Sequence, residues 1–270
     1  MTEAFDIEAQ TYSRFSFARE GRVLTAFIDS DHPVNGVDAA MHDELAKVFT
    51  DLQRDTGSDI IILSAKGRAF CAGGDMAWFD EQISNPASFR DIAWEAKRIV
   101  LSLLEMEKPI ICRLNGAAAG LGATIALLCD IIVADEAVKI GDPHVKVGLV
   151  AGDGGALIWP QLIGYAKAKE LLMTGDLLTA AEAKDLGLIN YAVPAAELDA
   201  KVGELVSKLQ ANPRWAVRWT KTVANIPLRA LAAQIMDASL GWESLSNTLE
   251  DRKEAVAAFK EKRAPDLTGE

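Results

Sequence analysis

Hydrophobic residues in the first two thirds of the chain form two kinds of segment, short continuous runs and longer stretches with helical spacing. A short apolar run such as IIILSA at 60–65 is typical of a strand that is covered on both faces. The predicted strands are 22–29, 60–65, 109–114 and 130–134, and the predicted helices are 41–55, 84–107 and one that ends near 128. Because helices and strands alternate, the pattern predicts an α/β fold with parallel strands.

The pattern changes after about Pro194, where strand patterns stop and helical spacing continues to Lys262. The helices predicted in this part are 198–211, 216–224, 228–249 and 250–262. We therefore predict a core over residues 1–194 and a helical region over residues 195–270. A helical region with this much apolar surface is expected to pack on something, and we favour an oligomer partner.

Composition and charge narrow the range of functions. The 270 residues are 50% hydrophobic and 25% charged, which is ordinary for a soluble globular protein, and the net charge is −11. This acidity predicts no nucleic-acid partner, because phosphate binding needs a basic field. The three cysteines, Cys71, Cys112 and Cys129, have no CxxC spacing and predict reduced thiols. The chain starts without a signal-peptide pattern, and glycines interrupt its most apolar stretch, so we expect a cytoplasmic protein with no membrane segment.

Two glycine-rich turns carry the first candidate chemistry. One turn is GRAFCAGGDM at 67–76 and the other is NGAAAGLGAT at 115–124, and each lies where a strand end meets a helix start. Peptide N–H groups at such a point have no intrahelical acceptor, and glycine allows close backbone approach. Two N–H groups directed at one point would stabilise an oxyanion. Glycine-rich turns are also a plain structural feature of many α/β proteins, and neither turn matches a dinucleotide or P-loop motif.

The two turns also carry a family resemblance. Together with CDIIVADEAVKIGDPHVKVGLVAGDGG downstream, they resemble the oxyanion-hole segments of the crotonase (enoyl-CoA hydratase/isomerase) superfamily. The likeness implies a crotonase-like spiral of ββα units with a C-terminal helical oligomerisation region, assembled as a homotrimer or a dimer of trimers. It implies an acyl-CoA substrate, with CoA as part of the substrate and no separate cofactor. The implied oxyanion donors are the N–H groups of Gly74 and Leu121, and the implied substrate contacts in the first turn are Ala72, Asp75 and Met76.

The chain departs from the hydratases of this family at two positions. The hydratases carry two glutamates that act on water, and the matching residues here are Thr124, which we assign to substrate binding, and His144. Histidine has an ordinary pKa of about 6.5 and can exchange protons at neutral pH. Asp153 lies where some isomerases of the superfamily carry an acidic catalytic residue, although an Asp before a helix is commonly an N-cap. We expect His144 and Asp153 to face one cavity as a base and its orienting carboxylate, with the assignment of the base left open.

A second resemblance gives the same two residues another role. The string DPH…GLVAGDGG…IWPQLIG resembles the β-diketone hydrolases of the 6-oxocamphor hydrolase type. Those enzymes use histidine and aspartate at the matching positions to cleave a carbon–carbon bond, and they do not act on a CoA thioester. The basic segment FKEKR at 259–263, which contains Lys262, favours CoA, as do Lys66 and Arg68 before the first turn. Each of these cations could equally lie on a solvated helix face.

Three functions therefore remain open. The leading hypothesis is an enzyme that acts on an acyl-CoA thioester through an enolate, with His144 and Asp153 as catalytic residues. The alternatives are a cofactor-free β-diketone hydrolase and a non-catalytic acyl-CoA-binding protein. We interpret His32 and His42 as structural, and no spacing of ligand residues predicts a metal site. Glu243 on the long C-terminal helix could reach an active site, but we favour its interpretation as a helical surface charge.

Overall fold

The strands form two sheets that the chain visits in turn, in a computed structural model that describes residues 4–270. The larger sheet contains β1 (Phe15–Glu20), β2 (Val23–Ile28), β3 (Ile60–Ala65), β5 (Ile110–Leu114), β7 (Ile131–Asp135) and β10 (Tyr191–Val193), in that order. The smaller sheet contains β4 (Ala69–Cys71), β6 (Ala117–Ala119), β8 (Lys139–Gly141) and β9 (Leu177–Thr179), also in that order. Pairing is parallel except between β1 and β2 and between β8 and β9.

Helices follow the strand pairs and then complete the chain. Those of the first part are α1 (Ala39–Arg54), α2 (Met76–Ser84), α3 (Phe89–Glu105), α4 (Leu121–Leu127), α5 (Gly155–Ile163), α6 (Tyr165–Thr174) and α7 (Ala180–Asp185). Those of the last part are α8 (Leu198–Gln210), α9 (Arg214–Ala224), α10 (Ile226–Ser246) and α11 (Glu250–Glu261). Short 3₁₀ helices occur at Ile7–Ala9, Pro86–Ser88, His144–Val147 and Ala195–Glu197.

A repeated unit organises these elements. A strand of the larger sheet leads to a short strand of the smaller sheet and then to a helix, as in β3–β4–α2 and β5–β6–α4. The prediction of an α/β fold built from ββα units, with helices at the C-terminal end, is confirmed. Because β4, β6 and β8 run parallel and side by side, the loops at their carboxyl ends meet at one edge, where α/β proteins commonly bind ligands.

The hydrophobic core lies between the larger sheet and helices α1 and α3. Leu24 and Ile61 of the sheet are fully buried, as are Phe49 of α1 and Leu103 of α3. Burying one such side chain contributes roughly 1.5–3 kcal/mol. Helix α10 also joins this core through Met236, so the last part of the chain packs onto the first.

The predicted elements agree with the structure where the apolar pattern is long. The strands at 60–65 and 109–114 and all four C-terminal helices occur within a few residues of their predicted bounds. The segment 84–107 is shorter than predicted, because α2 ends at Ser84 and α3 begins only at Phe89. The three-residue strands of the smaller sheet were not predicted, since three residues are too few to show a period of two.

The C-terminal helices expose large apolar side chains. Trp219 and Val223 of α9 and Trp242 of α10 are all more than half exposed. This surface agrees with the predicted oligomer contact, which stays a prediction, as does the division of the chain at residue 194. Within residues 4–270, no helix is both long enough and apolar enough to span a membrane.

Candidate active site

The two glycine turns lie side by side because β4 pairs in parallel with β6. Gly73 in the first turn has a φ of 89° and Gly120 in the second has a φ of 54°, a region that favours glycine. A Cβ atom on Gly122 would lie 2.3 Å from the carbonyl oxygen of Cys71. The second turn can therefore rest on the end of β4 only if residue 122 is glycine.

The N–H groups of Gly74 and Leu121 are available for a ligand. Neither group donates a hydrogen bond to any residue of 4–270, and both residues line a cavity of about 420 Å³. Leu121 is the first residue of α4, where an N–H has no intrahelical acceptor. Preorganised N–H donors of this kind stabilise negative charge that develops on a carbonyl oxygen.

The cavity is mainly apolar. Its walls include Val37, Met76, Trp78, Phe79, Leu240 and Phe259. Ala72 and Met76, which were predicted to bind substrate, lie in this wall. Asp75 does not line the cavity, and its carboxylate caps α2 by accepting hydrogen bonds from the N–H groups of Ala77 and Trp78. An apolar cavity with a few polar groups suits an acyl chain that carries one reactive carbonyl.

His144 lies between two carboxylates. Its Nδ1 is hydrogen-bonded to Oδ1 of Asp142, and its Nε2 lies 3.3 Å from Oδ2 of Asp153. Asp142 is buried, and a Cβ atom on Gly155 would lie 2.0 Å from its Oδ2, so glycine is needed where α5 begins. The sequence analysis identified His144 and Asp153 but missed Asp142. The only sequence feature that pointed to Asp142 was its position two residues before His144.

The electrostatics of this group favour an imidazolium held by two carboxylates. Burial alone would lower the pKa of His144, but Asp142 and Asp153 together raise that pKa well above its ordinary value. Burial alone would raise the pKa of Asp153, but His144 brings that pKa below its ordinary value, with a contribution from the N–H of Gly155. At neutral pH, His144 is therefore protonated and Asp153 is ionised.

Asp153 is not the N-cap that its position suggested. The N-cap of α5 is Gly154, which has a φ of 122° and no side-chain capping bond. Asp153 instead lines the cavity together with His144, with which its Oδ2 pairs at 3.3 Å. Its Oδ1 is buried and makes no hydrogen bond to any residue of the described chain. One carboxylate oxygen thus pairs with His144, while the other makes no hydrogen bond to the described residues.

Comparison with known proteins agrees with this geometry. The family model described as "Enoyl-CoA hydratase/isomerase" matches residues 19–270, which is most of the chain. The chain belongs to this family. The crotonase superfamily resemblance that rested on the two glycine turns is therefore confirmed, and the chain is an enzyme of that family.

Relatives within the family carry different activities. The 1,2-epoxyphenylacetyl-CoA isomerase of Escherichia coli (strain K12) is 30% identical over 254 residues, covering 93% of this chain and 96% of the relative. A crystal structure of an enoyl-CoA hydratase/isomerase from Mycobacterium paratuberculosis has a TM-score of 0.85 and 32% identity, covering 91% of this chain and 98% of that one. The β-diketone hydrolase of the cyanobacterium Anabaena sp. PCC 7120, bound to (S)-3-oxocyclohexyl acetic acid, has a TM-score of 0.82 and 28% identity, covering 88% and 95% of the two chains.

Glu243 and His42 are cavity residues that the sequence analysis did not assign to the site. Glu243 is 6% exposed and lines the cavity, so its interpretation as a surface charge was wrong. Burial raises the pKa of Glu243 to about 8, and the nearby charge of Asp153 acts in the same direction. His42 also lines the cavity, with its Nδ1 2.5 Å from Oε2 of Glu95. Helical spacing alone could not assign either residue, because each lies far in sequence from the glycine turns.

The remaining predicted substrate-binding residues lie outside the cavity wall. Thr124 is fully buried within α4, and its hydroxyl has no partner among residues 4–270. Lys66 is half exposed and pairs with Asp29 at 2.7 Å, while Arg68 and Lys262 are exposed. Their roles in binding the substrate stay predictions.

The carboxylate–histidine group also has the spacing of a metal site. Asp142, His144 and Asp153 offer ligand atoms that lie within 4.8 Å of one another. Both imidazole nitrogens already face a carboxylate oxygen, so a metal ion would have to displace a shared proton. The arrangement is better suited to holding and moving protons.

Proposed function

We propose that this family member is an acyl-CoA isomerase in which Asp153 removes a proton from the acyl chain. The thioester oxygen binds to the N–H groups of Gly74 and Leu121, and the electron pair left by the proton is delocalised onto that oxygen as an enolate. His144 holds Asp153 ionised and oriented. The observation that carries the proposal is that Asp153, which has one oxygen without a hydrogen bond to residues 4–270, lines the same cavity as Gly74 and Leu121, whose N–H groups donate to no described residue.

Isomerisation fits the residues better than hydration does. A hydratase of this family needs two glutamates to orient and deprotonate water, and this chain has Thr124 and His144 at those positions. A protonated His144 is a poor base for water. The similar protein of Escherichia coli is named as an isomerase of a CoA thioester, which supports a CoA thioester as the substrate.

Hydrogen exchange tests the proposed step directly. The protein would be incubated in D₂O with a panel of saturated, 2-enoyl and 3-enoyl CoA thioesters, and deuterium in the acyl chain followed by mass spectrometry. We expect exchange at C2, and at C4 of the 2-enoyl form, because loss of a proton from either carbon gives a conjugated enolate, and we expect conversion between the 2-enoyl and 3-enoyl forms. Absence of exchange with every thioester would refute the proposal, whether or not calorimetry detects binding of CoA.

One observation favours a second candidate, a β-diketone hydrolase. The similar Anabaena enzyme was solved with the keto acid (S)-3-oxocyclohexyl acetic acid bound. In this chain Lys260 pairs with Asp80, and Arg263 pairs with Glu254 at 2.9 Å, so part of the basic tail is already neutralised by carboxylates. Cleavage of a cyclic β-diketone without binding of free CoA would establish this reaction. Binding of CoA without exchange or cleavage would identify a non-catalytic binding protein.

We also propose that the exposed apolar faces of α9 and α10 form the contacts of a homotrimer. Trp219 and Trp242 are 57% and 64% exposed, which is unusual for large aromatic side chains in a monomeric protein. Sedimentation equilibrium should give a mass three or six times that of the chain. A monomer at micromolar concentration would contradict this assembly.

A further inference from the structure

Glu243 reaches the active site from a different part of the chain. Helix α10 carries it, and its neighbours Met236 and Leu240 on the same helix are buried in the main core. The carboxyl group lines the cavity with His144 and Asp153, and its Oε2 is buried without a hydrogen bond to any residue of 4–270. A buried carboxyl group with no partner at a cavity is a candidate for chemistry, because burial of an unpaired polar group is otherwise unfavourable.

The backbone beside Asp153 is built to accept Glu243. A Cβ atom on Gly152 would lie 2.7 Å from Oε2 of Glu243 and 2.5 Å from the carbonyl oxygen of Ser239. The hydroxyl of Ser239 donates a hydrogen bond of 2.9 Å to the carbonyl oxygen of Gly152. The loop before Asp153 is therefore fixed against α10, and only glycine at position 152 leaves room for the Glu243 side chain.

The charges around Glu243 come from two other elements. Asp142, His144 and Asp153 act on it from the loop before α5, and Arg252 acts on it from α11. Burial and the carboxylates favour the protonated form of Glu243, whereas His144 and Arg252 favour the ionised form. The outcome is a pKa of about 8, so Glu243 holds a proton at neutral pH. The cavity then contains an ionised Asp153 and a protonated Glu243.

We propose that Glu243 is a catalytic acid, which delivers its proton to the enolate at a different carbon from the one that Asp153 deprotonates. This inference rests on the proposed isomerase function. In the family's hydratases the two glutamates lie at the positions of Thr124 and His144. In this chain the proposal places one carboxyl group on α10 instead.

The proposed cycle balances without any co-reactant. A C–H bond of the acyl chain breaks, its proton moves to the carboxylate of Asp153, and its electron pair enters the enolate. The O–H bond of Glu243 then breaks, and a new C–H bond forms at the other end of the conjugated system. Transfer of the proton from Asp153 to Glu243 restores both groups. Arg252, which is buried and favours the ionised form of Glu243, stabilises the carboxylate that exists between these steps.

Glu243→Gln tests this role, because glutamine has nearly the same shape and carries no transferable acid proton. Two rates are measured for each variant, deuterium exchange of the acyl-CoA in D₂O and net isomerisation. We expect exchange within about threefold of wild type, since Asp153 is intact, and isomerisation lowered by about 10²–10⁴. In wild type, the isomerisation rate should fall as pH rises through about 8, and this fall should be absent from the residual activity of the variant.

Glu250→Gln is the matched control, because Glu250 is exposed at the start of α11 and pairs only with Lys253 among the described residues. It should leave both rates unchanged. If Glu243→Gln keeps wild-type isomerisation, or loses exchange as fully as isomerisation, the role as proton donor is overturned while the isomerase function stands. If wild type itself shows no exchange, the isomerase function fails and the role of Glu243 fails with it.

Discussion

The proposed oxyanion site and the proposed proton-transfer site share one cavity but are built in different ways. The oxyanion site consists of two peptide N–H groups, at Gly74 and Leu121, whose positions follow from strand pairing and from glycine in the turns. The proton-transfer site consists of side chains that come from the loop before α5 and from α10. A backbone site tolerates changes in side chains, whereas a side-chain site can be rebuilt from new positions. In this chain the two glycine turns resemble those of the family, whereas Thr124 and His144 stand where its hydratases carry glutamates.

The largest expected effect is on the proton-transfer site. Asp153→Asn removes the proposed base and should lower the rate of deuterium exchange by about 10²–10⁴.

Asp142→Asn should have a smaller effect, because Asp142 contacts His144 and does not line the cavity. Since Asp142 raises the pKa of His144, that pKa should fall in the Asp142 variant. Histidine NMR titration measures the pKa, and an unchanged value would contradict the electrostatic assignment.

The next largest effect is expected at the oxyanion site. Leu121→Pro removes one oxyanion N–H, and proline is well accepted at the first position of a helix. Leu121→Ala is the matched control, because it shortens the side chain and keeps the N–H group. The proline variant should lose about 10²–10³ in kcat relative to the alanine variant. Equal activities in the two variants would show that the Leu121 N–H does not bind the thioester oxygen.

A third effect concerns stability and separates the two sites by pH. Folding raises the pKa of Glu243 from 4.5 to about 8, so the folded state binds an additional proton between these pH values and loses stability as pH rises. Glu243→Gln removes this loss. The free energy of unfolding of the variant should exceed that of wild type by an amount that grows from about pH 4.5 to pH 8, reaches more than about 1 kcal/mol, and then stays constant. Urea unfolding at several pH values measures it, and Leu121→Ala should show no such trend.

The smallest effect is expected at Thr124, the residue that replaces a hydratase glutamate. Its hydroxyl is buried and makes no hydrogen bond to the described residues, and Thr124 lies outside the cavity wall. Thr124→Val should leave kcat within about threefold and raise the free energy of unfolding by about 1 kcal/mol, because an unsatisfied hydroxyl is removed. A loss of activity near that of Asp153→Asn would place Thr124 in the reaction.

Sequence-based inference was more accurate for the proposed oxyanion site than for the proposed proton-transfer site, because the first follows from a local pattern and the second from tertiary contacts. Both glycine turns were predicted as oxyanion segments, because glycine spacing at strand ends is a local pattern. His144 and Asp153 were identified through a resemblance and a short spacing. Asp142 was missed, and Glu243 was interpreted as a surface charge although a place in the site was considered, because the importance of both residues depends on burial and on neighbours that are distant in sequence.

By itself, the sequence determined the alternation of helices and strands, the helical C-terminal part, the two glycine turns and the family. These properties follow from hydrophobic periodicity and from the backbone freedom of glycine, which act over a few residues. Only the tertiary structure decided which side chains share the cavity and which of them carry protons. Parallel pairing of β4 with β6 brings the turns together, and packing of α10 against Gly152 brings Glu243 to Asp153. Protonation in a buried cluster depends on desolvation and on distances between charges, and folding sets both of these.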